Sequence, residues 1–197
     1  MNRSDIINFY VEQRQNCQYL EVGVGNLSAN FNKIKTEFKD GADPVNPCNN
    51  KMTSDEFFAQ NTKIYDVIFV DGDHKAVQAT KDIANALKCI KSDGVILVHD
   101  CNPLKEEHQT EHISVSHWNG SVWKSILFFR QTNPDILMYT IDADEGICVI
   151  RPNKKQELFK CDETVIDFNL LCKYRKQILN LVSLEEWMAI EIDLLRG

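Results

Sequence analysis

The chain has 197 residues and a mass of 22.7 kDa, enough for one domain, spanning 1–197, with a full core. Its 43% hydrophobic and 26% charged residues are an ordinary globular composition. A net charge of −7 argues against nucleic acid as a partner. No apolar run is long enough to span a membrane and the first residues hold no apolar signal block, so neither a membrane partner nor secretion is expected. The seven cysteines form no C-x-x-C pair and read as reduced thiols of a cytoplasmic protein.

Taken in chain order, Tyr19-Leu20-Glu21-Val22-Gly23 reads as a first strand closed by glycine. Only about eighteen residues precede it, which leaves room for few helices to cover a pocket from that side, so the pocket is expected to be open or closed by a partner subunit. Over 33–61 the signal weakens. Lys39-Asp40-Gly41-Ala42-Asp43-Pro44 reads as a strand end with a turn, 46–51 as a polar loop, and Ser54 as the cap of a short helix. A clearer strand follows at 65–71. Val77, Thr80, Ile83, Ala84, Leu87 and Ile90 then recur at helical spacing and predict a helix over 75–92, stopped by Ser92-Asp93-Gly94. A third strand is predicted over 94–100. Strands this short, β-branched and continuously apolar are buried on both faces, which implies a parallel sheet with a right-handed crossover. A helix is predicted over 121–131, with Val122, Ile126 and Phe129 on one face. Strands 136–141 and 147–150, joined by Asp142-Ala143-Asp144-Glu145-Gly146, predict an antiparallel hairpin at the sheet edge. Closing helices are predicted over 168–182 and 184–195. Their Leu170, Leu171, Ile178, Leu181, Trp187, Ile190 and Leu194 exceed what one sheet face needs, and suggest a homodimer. The expected fold is thus α/β: a Rossmann-like, doubly wound sheet, mostly parallel, with an antiparallel C-terminal hairpin and closing helices.

Glycine is scarce, eight in all, so its placement informs. Gly23 and Gly25 follow the first strand and Gly72 the second, where open α/β sheets bind ligands and backbone must approach closely. Asp43 lies twenty residues beyond Gly23, the place of a ribose-binding acid in a dinucleotide or a nucleoside site. Asp71-Gly72-Asp73-His74 and His99-Asp100-Cys101-Asn102-Pro103 close two strands that pair if adjacent. Asp71 and Asp100 then share one mouth, where two carboxylates repel unless a proton or a cation such as Mg²⁺ lies between them. The structural alternatives are helix capping by Asp71 or Asp73 and an Asx turn at Asp100. Trp123 reads as core, Trp118 as a pocket wall, and His108, His112 and His117 as part of a solvated lid.

Four stretches carry a resemblance: Tyr19-Leu20-Glu21-Val22-Gly23-Val24-Gly25, Met52-Thr53-Ser54-Asp55-Glu56-Phe57-Phe58, Ile68-Phe69-Val70-Asp71-Gly72-Asp73-His74 and Val98-His99-Asp100-Cys101-Asn102-Pro103; Trp118-Asn119-Gly120-Ser121-Val122-Trp123-Lys124 adds a fifth. Together they resemble class I S-adenosylmethionine-dependent methyltransferases, and more narrowly the methyltransferase family 24 domain. The resemblance implies that Glu21, Gly23 and Gly25 shape the methionine end of the cofactor site, that Asp43 accepts bonds from the ribose, and that Ser54 and Asp55 lie against the adenine. It matches Asp71 and Asp100 to the metal-ligating acids of the catechol and caffeoyl-CoA types of O-methyltransferase, with Cys101 a departure where those enzymes carry Asn or Asp; the alternative is a base, His74 or His99, that works with no metal. A thiol is a poor partner for a hard cation. His74 is the expected general base, neutral because it would open the next helix, and His99 its rival, expected to point into the sheet packing.

The implied function is O-methylation of a small polar acceptor such as a sugar, a nucleotide-sugar or a secondary metabolite. One alternative is an NAD-dependent oxidoreductase, against which Ser28 counts, since it stands where the dinucleotide fingerprint wants Gly or Ala. The other is a non-catalytic subunit that keeps the fold.

Overall fold

The structure, a computed structural model, describes residues 1–113 and 115–196. Among them, seven strands form one sheet: β1 (Tyr19–Val22), β2 (Lys39–Ala42), β3 (Tyr65–Val70), β4 (Ile90–Val98), β5 (Ile136–Ile141), β6 (Ile147–Pro152) and β7 (Leu181–Val182), in the spatial order β2-β1-β3-β4-β6-β5-β7. The first four are mutually parallel, β6 runs antiparallel to both its neighbours, and β7 pairs parallel with β5. Six α-helices flank the sheet: α1 (Arg3–Val11), α2 (Ser54–Gln60), α3 (Ala76–Cys89), α4 (Val122–Thr132), α5 (Phe168–Leu179) and α6 (Leu184–Arg196). This is the α/β, doubly wound, mostly parallel architecture the strand pattern predicts. No described helix is long and apolar enough to cross a membrane.

Alternation along the strands divides the core in two. Ile68 and Val70 of β3 and Ile96 and Val98 of β4 point to one face, against Ile83 of α3, Trp123 and Ile126 of α4 and Leu171 and Ile178 of α5. Val67, Phe69, Val95 and Leu97 point to the other, against Ile6, Ile7 and Tyr10 of α1 and Trp187 of α6. Each such fully buried side chain contributes about 1.5–3 kcal/mol. Trp123 is core, as its spacing predicts, with its indole N–H on Gln109 Oε1 at 2.8 Å.

Two expectations are corrected, those for the hairpin and for the first closing helix. Helix α1, in a stretch to which the sequence reading assigns no element, covers one face of the sheet. It buries residues on several sides, Ser4, Ile6, Ile7, Asn8, Tyr10 and Val11, so it lacks the clean stripe that marks an amphipathic helix in sequence. The 136–152 hairpin exists, but β6 inserts between β4 and β5, so the hairpin is interior and β7 forms the edge. The helix predicted over 168–182 ends at Leu179, because Asn180 turns left-handed at φ 44° and releases Leu181 and Val182 as a strand. Of the apolar residues of the closing helices, Leu170, Leu171, Ile178 and Trp187 are buried within the chain, and Leu181, Ile190 and Leu194 are half-buried.

The register at the sheet's carboxyl edge positions the site. Val22 pairs with Val70, and Val70 with Val98, so the residues that follow emerge side by side. Gly23 lets this happen: its φ is 82°, and a Cβ there would lie 2.1 Å from the Asp71 carbonyl oxygen. Gly25, at φ 55°, faces open space. Gly23→Ala is therefore expected to cost about 3 kcal/mol, strain plus a backbone clash, and Gly25→Ala about 1 kcal/mol, strain alone. Urea denaturation of the two variants checks the contrast.

Candidate active site

A cavity of about 960 Å³ opens at the carboxyl ends of β1 to β4. Every residue the sequence nominates lines it. Glu21, Gly23 and Gly25 come from β1 and its loop, Asp43, Ser54 and Asp55 from β2 and α2, Asp71 and His74 from β3, and His99 and Asp100 from β4.

On the β2 side, Asp43 acts first as a staple. One of its oxygens accepts from the Gly25 N–H at 2.9 Å and the other from the N–H groups of Val45 and Asn46 at 2.8 and 2.7 Å. Burial pushes its carboxyl up, and these bonds to the charged form outweigh it and hold it below the ordinary range. Helix α2 is capped by Thr53 rather than Ser54, through a capping box with Glu56. Ser54 Oγ and Asp55 Oδ1 are thereby left to the Gln78 side-chain amide, which donates to them at 3.1 and 3.0 Å.

Beneath the loop, Glu21 is almost wholly buried and accepts from the Tyr19 hydroxyl and from Asn30 Nδ2 at 2.8 Å. Burial dominates and pushes its carboxyl up to about 7. An acid raised in the fold favours folding only while protonated, so stability falls as pH climbs from about 4.5 to about 7. The shift corresponds to about 3 kcal/mol. Glu21→Gln, which mimics the protonated form, is expected to remove most of that pH dependence and to be the more stable protein at pH ~8. Thermal melts across this range measure it.

The β3–β4 side holds a cluster of charge. His99 Nδ1 lies 2.8 Å from Asp100 Oδ2 and 3.3 Å from Asp71 Oδ1, and its Nε2 lies 3.3 Å from Asp144 Oδ1. The expectation that His99 points into the sheet packing is thus corrected: its ring is buried, but at the mouth and among three carboxylates. Burial disfavours its charge, and the carboxylates override that, holding it well above an ordinary histidine. Asp71 is held far below the ordinary carboxyl range: burial opposes this, and His99, His74 and Arg3 prevail.

His74 is fixed by the segment that follows β4. Its ring stacks on Trp118 with centroids 4.7 Å apart and 15° between planes, and its Nδ1 faces the Trp118 carbonyl at 3.2 Å. Its own carbonyl accepts from Ser121 N–H at 2.7 Å, and Gly120, at φ 60°, passes so close that a Cβ would strike that carbonyl. Ser121 Oγ accepts from Ala76 N–H at 2.8 Å, so it satisfies the start of α3. Capping by Asp71 or Asp73 is therefore not needed, and α3 begins at Ala76, two residues beyond His74. His74 Nε2 sits 3.5 Å from Asp71 Oδ1 and 3.3 Å from Asp100 Oδ2. Burial lowers its pKa, but the two carboxylates raise it further, to above the ordinary histidine value, against the direction that a helix start alone implies.

Asp71, His74 and Asp100 each offer a ligand atom, and the three atoms lie within 4.8 Å of one another. Two carboxylates and an imidazole are a donor set that fits a divalent cation. Cys101 takes no part, because its thiol is buried and donates to Val98 O at 3.2 Å. Asn102 binds Asp142 and Arg175 instead. Asn119 Nδ2 is the amide that reaches Asp100, at 3.0 Å.

Sequence reasoning missed Arg3, Asp144 and Asn119, each from an element remote in the chain. It also read 105–117 as a solvated lid. The structure ties part of it down: His108 is buried, with its carbonyl accepting from Asn119 and Gly120, and His117 Nδ1 lies 3.0 Å from Glu145.

Residues 10–101 match the methyltransferase-domain family Methyltransf_24. No curated protein matches the chain. Among solved structures, it is similar to the S-adenosylhomocysteine-bound methyltransferase PaMTH1 of Podospora anserina, with a TM-score of 0.54 at 15% identity over 77% of this chain and 78% of that one. It is similar to an O-methyltransferase of Bacillus cereus in complex with S-adenosylhomocysteine, with a TM-score of 0.51 at 11% identity over 76% and 80%. It is also similar to MycE of the mycinamycin biosynthetic pathway, solved with Mg, S-adenosylhomocysteine and mycinamycin VI, with a TM-score of 0.52 at 12% identity over 85% of this chain. The chain spans about half, 52%, of MycE. The chain thus resembles the family 24 methyltransferase domain, matches it over 10–101, and has the fold of class I S-adenosylmethionine-dependent methyltransferases.

Proposed function

We propose that the protein is an S-adenosylmethionine-dependent O-methyltransferase acting on a small polar acceptor such as a sugar, a nucleotide-sugar or a secondary metabolite. One observation carries the reading: a single cavity joins the Gly25–Asp43 loop pair on its β2 side to the Asp71–His74–Asp100 cluster on its β4 side. The lining suits the cofactor's chemistry. Gly25 leaves open space for close approach, and the Asp43 and Asp71 carboxylates on the cavity wall suit a sulfonium. In this reading Gly23, Gly25 and Glu21 border the methionine end, Asp43 the ribose, and Ser54 and Asp55 the adenine.

When bound, S-adenosylmethionine supplies a methyl group already activated by its positive sulfur. The remaining task of the protein is alignment and removal of one proton from the acceptor hydroxyl. His74 is placed for it. Its Nδ1 faces the Trp118 carbonyl, which favours the tautomer with the proton on Nδ1 and leaves Nε2 as the accepting atom. Asp71 and Asp100, 3.5 and 3.3 Å from Nε2, stabilise the imidazolium that results. His99, charged and buried, holds those two carboxylates in place rather than taking the proton itself. Asp71, His74 and Asp100 are also the residues that would hold a divalent cation, His74 then as a ligand in place of its role as base, and the ion would supply a lowered pKa of the hydroxyl.

Calorimetric titration tests the cofactor. S-adenosylhomocysteine is expected to bind and NAD⁺ not to bind. Asp43→Ala should weaken the former by about 1.5–3 kcal/mol, the value of a charge-assisted bond. Binding of NAD⁺ in place of S-adenosylhomocysteine would favour the oxidoreductase.

Kinetics tests the base, once a screen over sugars, nucleotide-sugars, catechols and carboxylates has supplied an acceptor. His74→Ala is expected to lower kcat by about 10²–10⁴-fold with S-adenosylhomocysteine affinity unchanged. Because the carboxylates raise the His74 pKa, kcat should still be rising with pH above the ordinary histidine value of about 6.5, as the proton-accepting form fills. Near wild-type turnover in the His74 variant would remove the base from this residue.

A further inference from the structure

The N-terminal helix brings into the pocket a side chain to which the proposed chemistry gives no task. Arg3 opens α1, and its guanidinium bridges two shores of the mouth. Nη1 donates to Asp71 Oδ2 at 2.7 Å, on the β3 side, and Nη2 to Asp144 Oδ1 at 3.1 Å, in the β5–β6 turn. Its backbone N–H and Nε add bonds to Asp144 Oδ2. The helix that delivers it is well anchored. Ser4 Oγ donates to Asn30 Oδ1 at 2.7 Å, Asn8 Nδ2 to Lys33 O at 3.0 Å, and the Trp187 indole N–H to the Tyr10 hydroxyl at 2.7 Å. An Asn2–Asp5 capping box fixes its first turn.

Asp71 is at the same time one of the three residues whose ligand atoms converge. A guanidinium keeps its charge at any working pH, so it cannot yield this carboxylate by losing a proton. Two cations on one carboxylate repel at this range, and the mouth lies in a partly desolvated setting where repulsion is poorly screened. The guanidinium holds Asp71 Oδ2 while the other oxygen, Oδ1, faces His74, so a metal ion and Arg3 would meet across one carboxylate, and outward movement of Arg3 relieves the repulsion. The Arg3 side chain is 31% exposed, against 16% for Asp71, so it lies on the solvent side and has room to swing outward.

We propose that Arg3 is a tethered cation that competes with a divalent metal ion for Asp71, so that the N-terminal helix sets the affinity of the cation site. The inference concerns the Asp71–Asp100 cluster alone and does not need methyl transfer. Titration of S-adenosylhomocysteine on the same samples therefore keeps its failure separate from that of the proposed function.

The test uses the full chain and Mn²⁺ as the probe, with free Mn²⁺ read by electron paramagnetic resonance. Arg3→Gln keeps length and hydrogen bonding but removes the charge, and should bind Mn²⁺ about tenfold more tightly than the wild type, within the ordinary size of such a coupling. Arg3→Lys keeps the charge and should stay within about threefold of the wild type. Adding Asp71→Asn to Arg3→Gln should abolish the gain. Equal or weaker binding by Arg3→Gln, a lysine variant as tight as the glutamine one, or a gain that survives Asp71→Asn would each overturn the proposal. A second readout needs no variant: saturating Mg²⁺ on the wild type should speed amide hydrogen exchange in the first turn of α1, and unchanged exchange there would count against competition.

Discussion

Burying two strand-end carboxylates side by side is the constraint on which the rest of this site depends. The register that pairs Val70 with Val98 leaves no freedom in the matter: the residues after β3 and β4 emerge as neighbours, and they are Asp71 and His99-Asp100. Repulsion between buried carboxylates would cost several kcal/mol if uncompensated. The protein meets it with groups from far along the chain. Arg3 arrives from α1, His74 is pinned by the 118–121 segment, and His99 lies between Asp71, Asp100 and a third acid, Asp144. The placement of α1, the interior position of β6 and the sharp path through Gly120 all serve this compensation, because each brings a partner to the same few ångströms.

How much of this was legible in the sequence follows from how local each signal is. Strand ends, glycines and the acids beside them are punctuation, and Gly23, Gly25, Asp43, Asp71 and Asp100, which they single out, line one cavity. What they could not carry was partnership. Arg3 meets Asp71 across 68 positions of sequence, and no periodicity records that. Helix α1 is buried on several sides, so it hides its own amphipathic stripe. Asp144 sat in a turn that looked like a sheet edge, and only the insertion of β6 between β4 and β5 carries it to the mouth.

The two histidines show the same limit from the chemical side. A helix-start argument made His74 neutral, and an apolar-run argument turned His99 into the packing. Both arguments consider only the residue's own element. The helix begins two residues later than that argument requires, with its first turn satisfied by Ser121, so the dipole has little hold on His74. Carboxylates on other strands decide instead, and they raise both rings. Their accessibility then separates them. His99 is sealed at 2% exposure and serves as a fixed positive charge. His74 lies at the cavity wall, where a proton can be exchanged.

Charge counting explains why these groups belong together. Three carboxylates, Asp71, Asp100 and Asp144, face one guanidinium and two imidazoles. With both rings protonated the cluster is balanced, and it needs no further charge to be stable. A divalent ion added to that state must displace a charge already present or attract another negative group into the cavity, whereas a proton taken from a substrate restores the balance once His74 has given up its own. Of the three cationic groups, His99 is too deeply buried to leave, His74 can release only a proton, and Arg3 can only move. The cluster is therefore not a passive bed of acids. It is a balanced set in which each way of adding charge has one group that can give way, and the fold decides which group that is.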